Sequence, residues 1–123
     1  MRLLVKVENS VLWLRQSNQF SHINIKNEAQ KRKVDPSRIV FADILPMDEH
    51  LARHRLADLF FDTFAFNAHT TSAEALWAGL PVVTKIGLGF AARVAGSLLN
   101  AVALPELVTE TKQDYEADRK SVV

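Results

Sequence analysis

Four short apolar runs, at residues 10–15, 38–41, 59–62 and 82–84, recur along this chain with helix-forming segments and short polar loops between them. A strand covered on both faces by helices reads as a nearly continuous run of Val, Ile, Leu and aromatic residues. Strands separated by single helices are joined by crossovers and lie parallel. The pattern therefore predicts an α/β fold, a doubly wound parallel sheet flanked by helices. Ligands of such sheets bind outside the carboxyl ends of the strands, so the loops after Phe41, Asp62 and Thr84 are where function is expected.

The intervening segments carry helix signals. Residues 23–33 are rich in helix formers and stop before Asp35-Pro36, a turn pair. Residues 47–57 begin with Asp48 and Glu49, which complement a helix dipole. A helix over residues 71–77 is closed by Gly79 and then Pro81. Residues 90–99 place Ala91, Val94, Ala95 and Leu98 at helical spacing. A short turn at 105–107 and a charged helix over 111–120 complete the pattern, with no internal repeat.

Composition narrows the chemistry. The 123 residues, 48% of them hydrophobic, suffice for one domain that buries about two-thirds of its unfolded surface without staples. With no cysteine, thiolate zinc sites, CxxC redox chemistry and a cysteine nucleophile are excluded, and a reducing compartment is expected. The net charge of +1, with +3 in residues 1–60 and −2 in residues 61–123, makes no case for nucleic acid or an anionic membrane. No apolar run approaches the roughly 20 residues of a membrane span, and the N-terminus lacks the apolar core and cleavage site of a signal peptide. Cytoplasmic residence is the expectation.

Two segments could carry chemistry. Asn67-Ala68-His69-Thr70-Thr71-Ser72-Ala73-Glu74 runs from the loop after the third strand into a helix N-terminus. Exposed N–H groups, the positive dipole end, two hydroxyls and an imidazole there suit a diphosphate. The same residues also read as a capping box, Thr71 bonding an orphan amide and Glu74 reaching back, although a cap does not explain His69 and Thr70. The second segment, residues 47–55, sets His50 and Arg53 on one helix face, where they suit a flat heterocycle. A solvated surface is the alternative. His50 and His54 have the spacing of a metal pair, but Glu49 precedes His50 where a metalloprotease needs the acid after it, and no third ligand is evident, so no metal is expected.

Other features are weaker. Gly87-x-Gly89 lacks the third glycine of a dinucleotide loop and the Lys-Ser/Thr of a Walker loop. Lys85 and Arg93 read as surface groups or neighbours of a ligand cleft, Trp13 and Trp77 as core. Asp62, ending a strand, could be catalytic by position, but no second carboxylate or nucleophile lies near it in sequence, and His22 sits in a polar loop without a partner.

Together, Leu45-Pro46-Met47-Asp48-Glu49-His50-Leu51-Ala52-Arg53, Leu56 to Thr63, Asn67-Ala68-His69-Thr70-Thr71 and Glu74-Ala75-Leu76-Trp77-Ala78-Gly79-Leu80-Pro81-Val82-Val83-Thr84 resemble the C-terminal catalytic lobe of the O-linked N-acetylglucosamine transferase and SPINDLY family. The likeness continues through residues 90–99 and back to Asn9-Ser10-Val11-Leu12-Trp13-Leu14. It implies the C-terminal, Rossmann-like lobe of a GT-B enzyme that transfers N-acetylglucosamine, or a related sugar, from UDP to Ser or Thr of proteins with inversion. His69, Thr70 and Thr71 would hold the diphosphate, Glu74 the ribose hydroxyls, and His50 and Arg53 the uracil. The donor would be UDP-N-acetylglucosamine, with no separate cofactor, and no residue is assigned as the catalytic base. A non-catalytic nucleotide-binding or interaction module, or a fragment of another GT-B enzyme such as a nucleotide-sugar epimerase, is the alternative.

Two departures bear on that reading. Met47 stands where animal members carry a lysine that touches the nucleotide, which removes one charged contact. Family members also have a strand, a Gln- and Lys-bearing loop and a helix ahead of the Asn-Ser-Val-Leu-Trp segment, whereas this chain starts inside that helix, at residues 1–7. Residues 1–123 are therefore expected to form a partial lobe without its first, central strand. That would separate the runs at 11–14 and 59–62 and leave two unpaired edges: either residues 3–7 form a strand there, or the sheet is open, or another chain completes it. With the N-terminal lobe and the tetratricopeptide repeats also outside it, turnover by the separate chain is not expected.

Overall fold

The computed structural model describes residues 1–117, and the chain divides into two compact units, Met1–Leu45 and a second that begins at Pro46. The first contains α1 (Arg2–Lys6), β1 (Leu12–Arg15), α2 (Gln19–Lys31), a 3-10 turn at Pro36–Arg38 and β2 (Ile39–Ala42). β1 and β2 pair in parallel with Leu12 opposite Ile39 and Arg15 opposite Ala42, α2 supplying the crossover. Leu4, Ala29, Val34 and Ile39 form the core, with Leu12 and Leu14 packed on it.

α2 begins four residues earlier than its composition suggests, because Asn18 is an N-cap whose Oδ1 accepts the Ser21 N–H at 2.9 Å. It ends with Lys33 at φ 60°, the Lys33 N–H donating to Gln30 O and the Val34 N–H to Ala29 O. This Schellman closure buries Val34 beside Ala29. His22 is not a loop residue but part of α2, where its Nε2 accepts the Ser17 N–H at 3.1 Å and its ring stacks on Phe41. Residues 2–6 are helical, so the strand alternative for 3–7 does not form. β1 alternates, Leu12 and Leu14 half-buried and Trp13 43% exposed, rather than being covered on both faces.

The second unit contains α3 (Met47–Arg53), continued by a 3-10 turn at His54–Leu56, then β3 (Phe60–Phe61), α4 (Thr70–Trp77) and β4 (Val82–Lys85). After a 3-10 turn at Phe90–Ala92 come α5 (Val94–Ala101), another such turn at Pro105–Leu107, β5 (Val108–Thr109) and α6 (Lys112–Ala117). The strands form a parallel sheet in the order β3-β4-β5, so β1 and β3 belong to different sheets. The parallel strands and flanking helices are the predicted α/β class.

β4 is central, and Val82, Val83 and Thr84 are fully buried, as its unbroken apolar run requires. Ala75, Leu80, Val82, Leu99 and Leu107 make the core. β5 was not expected from the sequence: it is two residues long, and pairing with β4, Thr84 opposite Val108, is what makes it a strand. The helix expected over 90–99 splits at Arg93, which caps both the 3-10 turn and α5. Residues 118–120 of the expected final helix lie outside the described residues. Trp77, expected in the core, is 86% exposed: it is the last residue of α4, whose Ala75 and Leu76 take the core positions. Among the described residues no helix is long and apolar enough to cross a membrane.

Candidate functional site

All six residues singled out as ligand contacts, His50, Arg53, His69, Thr70, Thr71 and Glu74, lie in the second unit, on α3 and at the start of α4. α4 starts at Thr70, with His69 as its N-cap and no side chain capping it. The first intrahelical bond runs from the Ala73 N–H to His69 O, so the amides of the opening turn have no acceptor within the helix. Thr70 and Thr71 are exposed. The His69 ring stacks on Phe66 at 4.8 Å between centroids. Its Nε2 is buried without a hydrogen-bond partner, as is Ser72 Oγ.

The capping box does not form. With His69 as N-cap, Thr71 is the second helical residue and Glu74 the fifth, too far along to reach back to the cap. Glu74 turns to α3 instead, its Oε2 lying 3.3 Å from His50 Nε2. The other ring nitrogen, Nδ1, lies 2.8 Å from the Arg53 guanidinium. A guanidinium can only donate, so His50 Nδ1 accepts and its Nε2 carries the proton towards the carboxylate. Arg53, His50 and Glu74 thus form one chain linking α3 to α4. His54 belongs to the scaffold: it is buried, and its Nδ1 lies 2.7 Å from His50 O.

The loop that delivers the chain to α4 is held from within. Asp62, at the end of β3, is buried and accepts the N–H groups of Thr63 and Ala68 and the Thr84 hydroxyl. Asn67 is fully buried, its Nδ2 donating to Thr63 O and its Oδ1 accepting the Ala95 N–H in the first turn of α5. From α6, the Tyr115 hydroxyl donates to Asp62 O at 2.7 Å. Burial, with the Asp62 charge second, pushes the Tyr115 phenol well above its ordinary value of 10.0. Among the described residues no cluster of three or more His, Cys, Asp or Glu could hold a metal ion.

The sequence matches the profile of glycosyl transferase family 41 over residues 1–120. The chain belongs to that family. It is 41% identical over 114 residues to a UDP-N-acetylglucosamine–peptide N-acetylglucosaminyltransferase of Caenorhabditis elegans, covering 93% of this chain and 10% of that protein. A probable enzyme of the same name, SEC, from Arabidopsis thaliana is 36% identical over 115 residues, covering 93% of this chain and 12% of the relative. Among solved structures, a mutant O-GlcNAc transferase of Thermobaculum terrenum superposes with a TM-score of 0.92 at 29% identity, covering 98% of this chain and 24% of that one. The chain thus spans about a tenth of the length of the curated relatives it matches.

Within this family 41 chain, the sequence motifs point to the candidate ligand contacts but not to the residues that support them. Asn67 lies inside the motif without a role assigned to it, Asp62 reads as a strand end that could be catalytic by position, and Tyr115 carries no signal; buried hydrogen bonds over long sequence separations leave no local pattern. Gly87-x-Gly89 is a packing turn and not a phosphate loop, its Gly87 N–H already bonded to Ala92 O at 2.8 Å. Arg93, exposed, donates to Gly87 O across that turn. Lys85 donates to Ile86 O, its ammonium 5.7 Å from the centre of the Phe64 ring.

Proposed function

We propose that this chain is the donor-binding part of a transferase that moves N-acetylglucosamine, or a related sugar, from UDP to Ser or Thr hydroxyls of proteins. The observation that carries the reading is the uncapped start of α4, with His69 Nε2 buried and unpartnered beside it. A buried polar atom without a partner costs about 1–3 kcal/mol, and a diphosphate oxygen would supply the acceptor that His69 and the helix amides lack. The positive dipole end and the Thr70 and Thr71 hydroxyls add to the attraction. As the sugar departs, negative charge builds on the UDP, and donors already in place stabilise it most in the transition state.

The neighbouring chain of Arg53, His50 and Glu74 suits the rest of the nucleotide: imidazole and guanidinium for the uracil, carboxylate for the ribose hydroxyls. In this reading residues 1–123 belong to one nucleotide-sugar-binding lobe, working in the cytoplasm on protein acceptors; a chain without cysteine fits that compartment. Calorimetry of the 123-residue chain with UDP tests it. Binding is expected and His69→Ala weakens it roughly ten-fold, the loss of about one charge-assisted hydrogen bond. No heat at millimolar UDP sinks the proposal, and an unchanged His69→Ala variant removes the diphosphate assignment.

A further inference from the structure

For Asp62, two of the three hydrogen bonds that its carboxylate accepts come from the loop that leads to His69. Its side chain is buried at 3% exposure. Oδ1 accepts the Thr63 N–H at 2.9 Å and the Ala68 N–H at 2.7 Å, and Oδ2 accepts the Thr84 hydroxyl at 2.6 Å. Its backbone is fixed on two sides, the N–H donating to Val83 O on β4 and the carbonyl accepting the Tyr115 hydroxyl from α6. From that anchored point a single oxygen grips both ends of the 63–68 loop. Asn67 completes the loop, its own N–H donating to Ala91 O at 2.7 Å.

We propose that Asp62 is the positioning residue of the donor site, its carboxylate fixing the Ala68 peptide and thereby the aim of His69 and of the Thr70 and Thr71 amides at a nucleotide diphosphate. The inference rests on the UDP-binding reading above. A carboxylate suits the task because it only accepts, and three donors converge on it. A role as general base does not suit it, since both oxygens are occupied and shielded from solvent. Asparagine in its place could keep both N–H groups on Oδ1 and let the Thr84 hydroxyl reverse to accept from Nδ2. Alanine leaves three donors, the buried Thr84 hydroxyl among them, without an acceptor, and the loop is then free to turn His69 and the α4 start away from the phosphates.

The test titrates UDP and uridine into the 123-residue chain and into Asp62→Ala, Asp62→Asn and Val83→Ala. Asp62→Ala is expected to weaken UDP ten-fold or more while uridine, which reaches His50, Arg53 and Glu74 but not the diphosphate position, changes less than three-fold. Asp62→Asn is expected to keep the UDP-to-uridine ratio within three-fold of the parent chain. Val83→Ala, a cavity in the same sheet, is expected to leave the ratio unchanged. A parent-like ratio in Asp62→Ala, or an equal loss in Val83→Ala, overturns the proposal. If Asp62→Ala does not fold, Thr84→Val, which removes the donor on Oδ2 at nearly constant shape, is expected to show a two- to five-fold loss of the same selectivity; no loss overturns the proposal. Amide hydrogen exchange without ligand separates this inference from the donor reading. The Ala68 amide, which donates to Asp62 Oδ1, should exchange at least ten-fold faster in Asp62→Ala while β4 keeps its protection. Failure of the parent chain to bind UDP would remove the donor reading alone, whereas unchanged exchange would remove the role of Asp62.

Discussion

The Arg53–His50–Glu74 chain predicts that the nucleoside end of the ligand is bound cooperatively. With Nδ1 of His50 accepting from Arg53 at 2.8 Å, the ring proton is on Nε2, 3.3 Å from Glu74 Oε2. A hydrogen bond to a charged group contributes about 1.5–3 kcal/mol at full strength. This one is longer than the roughly 2.7–2.9 Å of a strong charge-assisted bond, and its side chains keep 25% and 17% exposure. About 1 kcal/mol is therefore expected to pass through it.

In the proposed donor reading, Glu74→Ala removes a ribose acceptor and also frees the His50 ring; once His50 is gone, only the first loss remains. In a calorimetric double-mutant cycle with UDP, the two single effects should together exceed that of the Glu74→Ala/His50→Ala double variant by about 1 kcal/mol, roughly five-fold in Kd. Nitrogen-15 shifts should show His50 as the Nε2–H tautomer in the parent chain and as a mixture in Glu74→Ala. Effects that add to within about 0.3–0.5 kcal/mol would refute the reasoning, since each residue would then act on its own part of the ligand.

Three further outcomes follow from the packing. Gly79 closes α4 at φ 83° with open space where a Cβ would stand, so Gly79→Ala should lower stability to urea by about 1–2 kcal/mol through the backbone alone; no change would show that the turn tolerates a side chain. At Gly87 a Cβ would stand 2.6 Å from Ala92 Cβ, so Gly87→Ala should cost about 1–3 kcal/mol and Gly87→Ala/Ala92→Gly should recover most of it in the same assay. Tyr115, whose phenol is raised above 10.0, favours the folded state fully below pH 10 and loses that contribution as pH climbs through its higher folded value. Tyr115→Phe should lack that part of the alkaline loss while being about 1–2 kcal/mol less stable at pH 7, the cost of the missing bond to Asp62 O; urea midpoints from pH 7 to 11 decide it.

What the sequence revealed and what it hid divide along a physical line. Gly79 and Pro81 end α4 where expected because a left-handed closure is a local demand, satisfied by one residue type at one place. Lys33 and Ala103 make the same closure at φ 60° without glycine, and nothing in their identity announces it. Thr71 and Glu74 fit a capping box in spacing, yet an N-cap two residues earlier, at His69, turns Glu74 from a cap into the partner of His50. That start follows a loop held by Asp62, Asn67 and Tyr115, whose bonds to Thr84, Ala95 and Asp62 span 22, 28 and 53 residues. β5 was illegible for the same reason: Val108 and Thr109 form a strand because β4 is beside them, the Thr109 hydroxyl donating to Thr84 O at 2.9 Å. Groups that touch a ligand must be particular residue types in close order and so leave a motif. Groups that aim them need only be acceptors or donors at the right point in space, reachable from anywhere in the chain. A motif can therefore match while its aim is lost, and Asp62→Ala is the variant in which His69, Thr70 and Thr71 all remain and the donor site is expected to fail.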